Sequence, residues 1–198
     1  MDWKLIDVVQ ETEHPFLNYF TLVYEVSDGN KKKEYRYFAV SRHQKDELLA
    51  RTKKYSKPDG VTIPLYYLDE NGKVFFLLVK QFRPALGRYV YSFPAGLLDD
   101  GEEDILETAR REALEEAGAV VTDLKMICPP SSTSSGFSDE TNAIVLGRIL
   151  SFDKQKLEEF EDISYALVSK EETMKMLNDG SFFAMTCRLL LMYLEEMI

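Results

Sequence analysis

Three glutamates, Glu112, Glu115 and Glu116, stand at i, i+3 and i+4 directly after Arg111. On a helix this spacing puts all three carboxylates on one face, where like charges destabilise the helix unless a cation sits among them. A cage of two or three carboxylates that leaves positions for water and phosphate oxygens suits a hard divalent ion, Mg²⁺ or Mn²⁺, better than zinc. The plainer reading is a solvated acidic face. With 34 acidic residues in a chain of 198, a Glu-Glu pair alone carries little information.

The surrounding residues favour the site. Ahead of the acidic run, Phe93-Pro94-Ala95-Gly96 ends an extended segment, proline stopping it and glycine permitting close backbone approach. Behind it, Ala117-Gly118 is a helix stop of the C′-glycine type, and Val120-Val121 opens a new strand. The implied order is strand, loop, glycine-bounded acidic helix, strand.

Residues 96–119, GLLDDGEEDILETARREALEEAGA, resemble the signature box of the Nudix hydrolases, G-x5-E-x7-R-E-U-x-E-E-x-G-U with U aliphatic. Arg111, Glu112, Glu115, Glu116 and Gly118 fall where the pattern places them, and Ala113 and Ala119 fill U positions. Counting back from Arg111, the first glutamate is Glu103, which leaves Gly96 one position early. Taking Glu102 instead would put the extra residue inside the helix and rotate the Arg-Glu end by about 100°. A loop absorbs an insertion at a cost of only about a fraction of a kcal/mol. Glu103 is therefore the match, with Glu102 as the alternative.

The resemblance implies roles by position. Glu112, Glu115 and Glu116 become metal ligands and catalytic residues, and Arg111 holds a carboxylate in place through charge-assisted hydrogen bonds. The carbonyl at Ala95-Gly96 completes the metal shell. The implied reaction is attack of water on a diphosphate, assisted by Mg²⁺ with Mn²⁺ as a substitute. Upstream, Val74–Pro84 reads as a buried strand ending in Gln81-Phe82-Arg83, similar to the stretch before the box in ADP-ribose and nucleotide-sugar pyrophosphatases. Arg83, at the strand end, would grip a substrate pyrophosphate, with Gly96 and Glu103 on the substrate side. Downstream, residues 134–140 resemble that subfamily's mobile loop, and Glu140 matches its water-activating glutamate. The chain departs from the subfamily at Ser135, where proline is common, and at Ser92, where glutamate is common. The substrate implied is a nucleoside diphosphate-sugar, ADP-ribose first, giving AMP and a sugar phosphate. Other nucleoside diphosphate derivatives, such as GDP-mannose or NADH, and a non-catalytic nucleotide sensor are the alternatives.

Composition agrees with a compact enzyme. A net charge of −10 argues against polymeric nucleic acid as a partner. No apolar run approaches the ~20 residues that span a bilayer, and residues 1–16 lack a signal-peptide core, so the cytoplasm is the expected compartment. Cys128 and Cys187 suggest neither a disulfide framework nor a zinc site.

The fold class expected is α/β (α+β): a Nudix α/β/α sandwich with a mixed sheet (59–198), preceded by a small antiparallel β subdomain (1–58). In the first part Trp3–Val9, Asn18–Val26 and Glu34–Ser41 read as strands, with a hairpin turn at Asp28-Gly29-Asn30. Arg42–Lys57 reads as helix or loop. The runs from Val61 and Lys73 suggest strands paired around residues 69–72. After the box come strands near Val120–Cys128, Asn142–Leu150 and Ala166–Val168, then helices Lys170–Asn178 and Ala184–Ile198, the last an apolar core helix. A three-stranded sheet is marginal alone; in the similar pyrophosphatases it meets a second subunit and helps form the substrate pocket, which implies a homodimer and the same two roles for residues 1–58. Trp3, Phe16, Tyr19, Tyr35 or Tyr37 could then stack on a base, although ordinary core packing is the expectation for any one of them. His14 and His43 sit in polar sequence and are read as exposed and non-catalytic.

Overall fold

The computed structural model describes residues 1–55, 57–99, 101 and 104–197, with side chains to residue 194. The chain divides into two compact units, Met1–Asp59 with Pro130–Asn142, and Gly60–Pro129 with Ala143–Ile198.

The first unit is built on β1 (Asp2–Gln10), β2 (Asn18–Ser27) and β3 (Lys32–Ser41), an antiparallel sheet in that order. The turn between β2 and β3 is closed by the Asp28 carboxylate, which accepts the Asn30 and Lys31 N–H groups at 2.9 and 2.8 Å. Inward residues Val8, Phe20 and Leu22 pack with Leu48. Most of 42–57 is loop, with one helical turn, α1 (Leu49–Thr52). Segment 133–140 is fastened to this unit. The Val40 N–H donates to the Phe137 carbonyl at 2.8 Å, the Tyr37 hydroxyl to the Gly136 carbonyl, and the Leu49 N–H to Asp139 at 3.0 Å.

Two expectations change in this unit. Trp3, Phe16, Tyr19 and Tyr35 are exposed: Trp3 and Tyr35 share the face of Phe20 and Leu22 but lie beyond its packed part, Tyr19 is on the opposite face, and Phe16 is in the loop before β2. His43 is part-buried, its Nε2 2.9 Å from an Asp59 oxygen; Asp59 also accepts the Thr141 N–H at 2.6 Å. The chain bends back through Asp59, so sequence neighbours say little about the imidazole's surroundings.

The second unit is built on β4 (Gly60–Thr62), β5 (Leu65–Leu68), β6 (Val74–Arg83), a 3-10 turn (Pro84–Leu86), β7 (Arg88–Ser92), β8 (Ala95–Leu97), α2 (Ile105–Ala117), β9 (Ala119–Ser132) as far as Pro129, β10 (Thr141–Phe152) from Ala143, β11 (Ile163–Ser169), α3 (Lys170–Asn178) and α4 (Met185–Met197). Its sheet is mixed, in the order β11-β6-β5-β10-β4-β8, with β7 also on β6 and β9 on β10. The apolar run 61–68 is two strands rather than one because Pro64 has no N–H to give to a ladder.

Alternation along β6 defines the two faces. Leu77 and Val79 pack with Ala109, Ala113 and Ala117 of α2, while Phe76 and Leu78 pack with Leu177 of α3 and Leu190, Leu191 and Leu194 of α4. The unit is thus an α/β/α sandwich. α4 is core along that stripe only; Met185, Leu189, Met192 and Tyr193 face outward. Ala95-Gly96 belongs to a strand, pairing with Thr62 and Val61, where the sequence suggested loop. Gly96 therefore does not bound the helix, whose cap is Asp104.

Candidate active site

Helix α2 starts where its chemistry predicts. The Asp104 side chain accepts the Leu106 N–H at 2.9 Å, and Gly118 closes the other end at φ 62°. Segment 153–156 satisfies the last carbonyls: the Asp153 N–H donates to Gly118 at 2.7 Å, the Lys156 N–H to Glu115 at 2.9 Å, and the Gln155 amide to Glu116. Any side chain at 118 would place its Cβ 2.1 Å from the Asp153 carbonyl oxygen. The helix starts at Ile105, so both candidates for the first box glutamate precede it in sequence. Glu102 and Glu103 themselves lie outside the described residues.

The three box glutamates meet different fates. Ala109, Ala113, Glu116 and Ala117 form the buried stripe of α2, so Glu116 points into the sheet and is only 4 % exposed. Its carboxylate accepts the Ala95 N–H at 3.1 Å. Burial pushes its pKa up to about 8, against the pull of that hydrogen bond; Glu112 and Glu161 raise it further and Arg83 lowers it. Glu112 is also raised, first by burial, with Arg111 opposing and Glu115 and Glu161 adding. Glu115 is more open.

Arg111 organises the first two. One guanidinium nitrogen donates to Glu112 at 2.7 Å and to Glu115 at 3.1 Å, while the other donates to the Leu97 carbonyl at 3.2 Å. This ties the helix to β8. Gly96 is required beneath: a Cβ there would lie 2.0 Å from the Glu112 carboxylate.

Arg83 ends β6 on the face of Leu77 and Val79, the α2 face, and is near enough to act on Glu116. Ala95 offers Glu116 its N–H. Glu140 lies in the first unit, where its carboxylate meets Arg42 at 3.3 Å and Thr133 at 3.1 Å. Sequence reading missed Glu161. It precedes β11 and acts on both Glu112 and Glu116. The available signal was the register: carrying the β11–β6 pairing two residues past Ile163 sets Glu161 opposite Arg83.

Among the described residues, no three acidic, His or Cys side chains are gathered at metal-binding distance. The donor set nevertheless fits a hard divalent cation. It is all carboxylate, and two of its members, Glu112 and Glu116, are raised in pKa by desolvation and by neighbouring carboxylates, both of which a cation would offset. No histidine or cysteine is among the groups acting on Glu112 or Glu116, so zinc is a poor fit.

A family model for the Nudix domain matches residues 57–183, and the chain belongs to the Nudix family. Within that family it is a pyrophosphatase-type hydrolase by its relatives. An ADP-ribose pyrophosphatase of Bacillus subtilis (strain 168) is 33 % identical over 148 residues, 74 % of this chain and 77 % of that protein. An ADP-sugar pyrophosphatase of Mus musculus is 38 % identical over 69 residues, 35 % of this chain and 31 % of that protein. A crystal structure described as an ADP compounds hydrolase matches with a TM-score of 0.72, covering 99 % of this chain and 94 % of that one. At 17 % identity, that likeness bears on the fold. Among the described residues, no helix is long and apolar enough to cross a membrane.

Proposed function

We propose that this chain is a Mg²⁺-dependent pyrophosphatase of nucleoside diphosphate-sugars, with ADP-ribose as first substrate, releasing AMP and a sugar phosphate. The observation that carries the reading is the placement of two pKa-raised glutamates, buried Glu116 and part-buried Glu112, on the face that carries the arginine at the end of β6. Carboxylates in that condition are a site prepared for a cation, and an arginine beside a cation is suited to a diphosphate.

Glu112, Glu115 and Glu116, with the Ala95 carbonyl and Glu161, are the groups that would hold Mg²⁺ or Mn²⁺. When bound, the ion neutralises charge on the phosphoryl oxygens and acidifies a water. Arg111 keeps Glu112 and Glu115 apart and oriented. Arg83 and the Gly96 backbone take the substrate side, with Glu103 as the box-matched residue there. Glu161 and Glu140 are the two carboxylates available to position water or accept its proton, Glu161 by its place beside the cluster and Glu140 by its match to the subfamily loop.

Exposed aromatics on both faces of the three-stranded sheet, Trp3 and Tyr35 on one and Tyr19 and Phe38 on the other, support a homodimer through this unit, since exposed apolar side chains mark interaction surfaces. A light-scattering mass of 22.9 kDa would refute it. Cys187, a thiol buried in the core, suits a reducing compartment such as the cytoplasm.

The test is incubation with Mg²⁺ and a panel of ADP-ribose, other nucleotide sugars, GDP-mannose and NADH, with release of monophosphate measured. Turnover of ADP-ribose above the rest supports the reading. Preference for another member moves the substrate, a result that Ser92 and Ser135 make worth testing. No turnover, with nucleotide binding retained, favours the sensor.

A further inference from the structure

Glu161 reaches the α2 face of the sheet through an alternation that one side chain on the opposite face controls. β11 runs antiparallel to β6 with Ile163 opposite Gln81, and the pairing continues one residue further, the Phe82 N–H donating to the Asp162 carbonyl at 3.1 Å. Facing residues of paired strands share a side and successive residues alternate. Asp162 therefore shares the side of Phe82 and Lys80, and Glu161 shares the side of Arg83. Within its own turn, Glu161 is held to Glu158: its N–H donates to the Glu158 carbonyl at 3.2 Å, and its carboxylate accepts the Glu158 N–H at 3.0 Å. Nothing in that turn alone fixes which face of the sheet it joins.

Tyr89 supplies the missing constraint. It stands on β7 opposite Phe82, and β7 flanks β6 on the edge away from β11. The phenol crosses over β6 and donates to the Asp162 carboxylate at 2.5 Å. Its ring has contacts besides that bond: it meets the Phe82 ring edge-on at 5.4 Å, and the Lys80 ammonium stands 5.2 Å from its centre. The hydrogen bond to Asp162 also raises the Tyr89 pKa, which keeps the phenol a donor.

We infer that Tyr89 is a positioning residue: by strapping Asp162 to the outer face of β6, it fixes the register at which Glu161 enters the inner face beside Glu112, Glu116 and Arg83. The inference rests on reading that inner face as the pyrophosphatase site. A strand end that slips by one residue sends each side chain to the other face. Releasing Asp162 would therefore remove Glu161 from the cluster while leaving the core untouched. The strap also couples two functional arms, since the β6–β7 hairpin that carries Arg83 now holds the segment that carries Glu161.

Tyr89→Phe deletes the hydroxyl and keeps the ring contacts. The expected result is a kcat lower on the order of 10-fold, with KM and the unfolding midpoint unchanged. Asp162→Ala should match it, the double variant should be no worse than either single one, and Asp162→Asn, which retains an acceptor oxygen, should recover most of the loss. Independently of turnover, amide exchange at Phe82 and residues 161–163 should speed up in Tyr89→Phe. Wild-type exchange at these amides overturns the strap even if the enzyme is slower. Faster exchange with unchanged kcat overturns its positioning role, as does a kcat loss matched by a fall in stability. A wild-type protein inactive on the whole panel refutes the proposed function alone, and the exchange measurement still decides whether Tyr89 holds Asp162.

Discussion

Glu116 makes the stability of the metal-free protein depend on pH in an unusual direction. Its carboxyl titrates near 8 in the fold against 4.5 ordinarily. A carboxyl raised on folding supports the native state while protonated. Its contribution is complete below 4.5 and is lost as pH climbs through about 8. Each pH unit across that interval is worth ~1.4 kcal/mol, so the loss reaches at most about 5 kcal/mol. Against a total of roughly 5–15 kcal/mol for a folded domain, this is a large share.

The assay is thermal unfolding after chelation, from pH 5 to 9, of the wild type and Glu116→Gln. Glutamine keeps an oxygen for the Ala95 N–H but has no charge to bury. The two proteins should unfold alike near pH 5 and diverge as pH rises, the variant ahead at pH 9 by on the order of 10 °C. Taking the difference between them removes groups common to both, His43 included. Saturating Mg²⁺ should flatten the wild-type slope more than the variant's, because the ion offsets a charge at Glu116 that glutamine does not carry. Parallel curves for the two proteins without metal would refute the argument that Glu116 is a buried, charge-starved ligand.

Three further expectations follow from the geometry. Arg111→Lys keeps the charge but cannot bridge Glu112, Glu115 and the Leu97 carbonyl together; Mn²⁺ affinity measured by titration should fall about 10–100-fold. Gly96→Ala puts a Cβ 2.0 Å from the Glu112 carboxylate, so that carboxylate must move; turnover should drop at least about tenfold, with circular dichroism unchanged. In the first unit, the hydrogen bond to Asp59 raises the His43 pKa above 6.5 despite burial. The pair thus stabilises the fold below pH 6.5 and fades as pH rises through the raised value. In an NMR titration Asp59→Asn should return His43 toward 6.5.

What could be read from the chain was what local periodicity determines. The box helix, its glycine stop and the strands of the three-stranded sheet follow from spacing and turn chemistry, and the structure has them within a few residues. Even the difference among the glutamates was partly written there. Ala109, Ala113 and Ala117 mark a buried stripe with small side chains, and Glu116 is the one box glutamate within it. Treating the three glutamates as one cluster obscured this. β7 and β8 were harder to see: they have five and three residues, and each is a strand only because β6 or β4 lies alongside. His43 was misread for the same reason, since its partner Asp59 is brought to it by the fold.

Glu161 and Glu140 show where local reading stops. Both lie in loops just before a strand, and composition gives Glu140 the better claim because serine and glycine surround it. In the fold, Glu140 is engaged by Arg42 and Thr133, whereas Glu161 adds to the repulsion that raises the pKa of Glu112 and Glu116. The difference between them is one of register. The facing of Glu161 is set by the pairing of Ile163 with Gln81, eighty-odd residues apart in the chain, and by a phenol on a third strand. Neither constraint has a local signature, because strand pairing is chosen by the whole sheet. A carboxylate that completes a charge cluster from such a position is found by carrying register beyond the last paired residue and asking which face the next side chain must join.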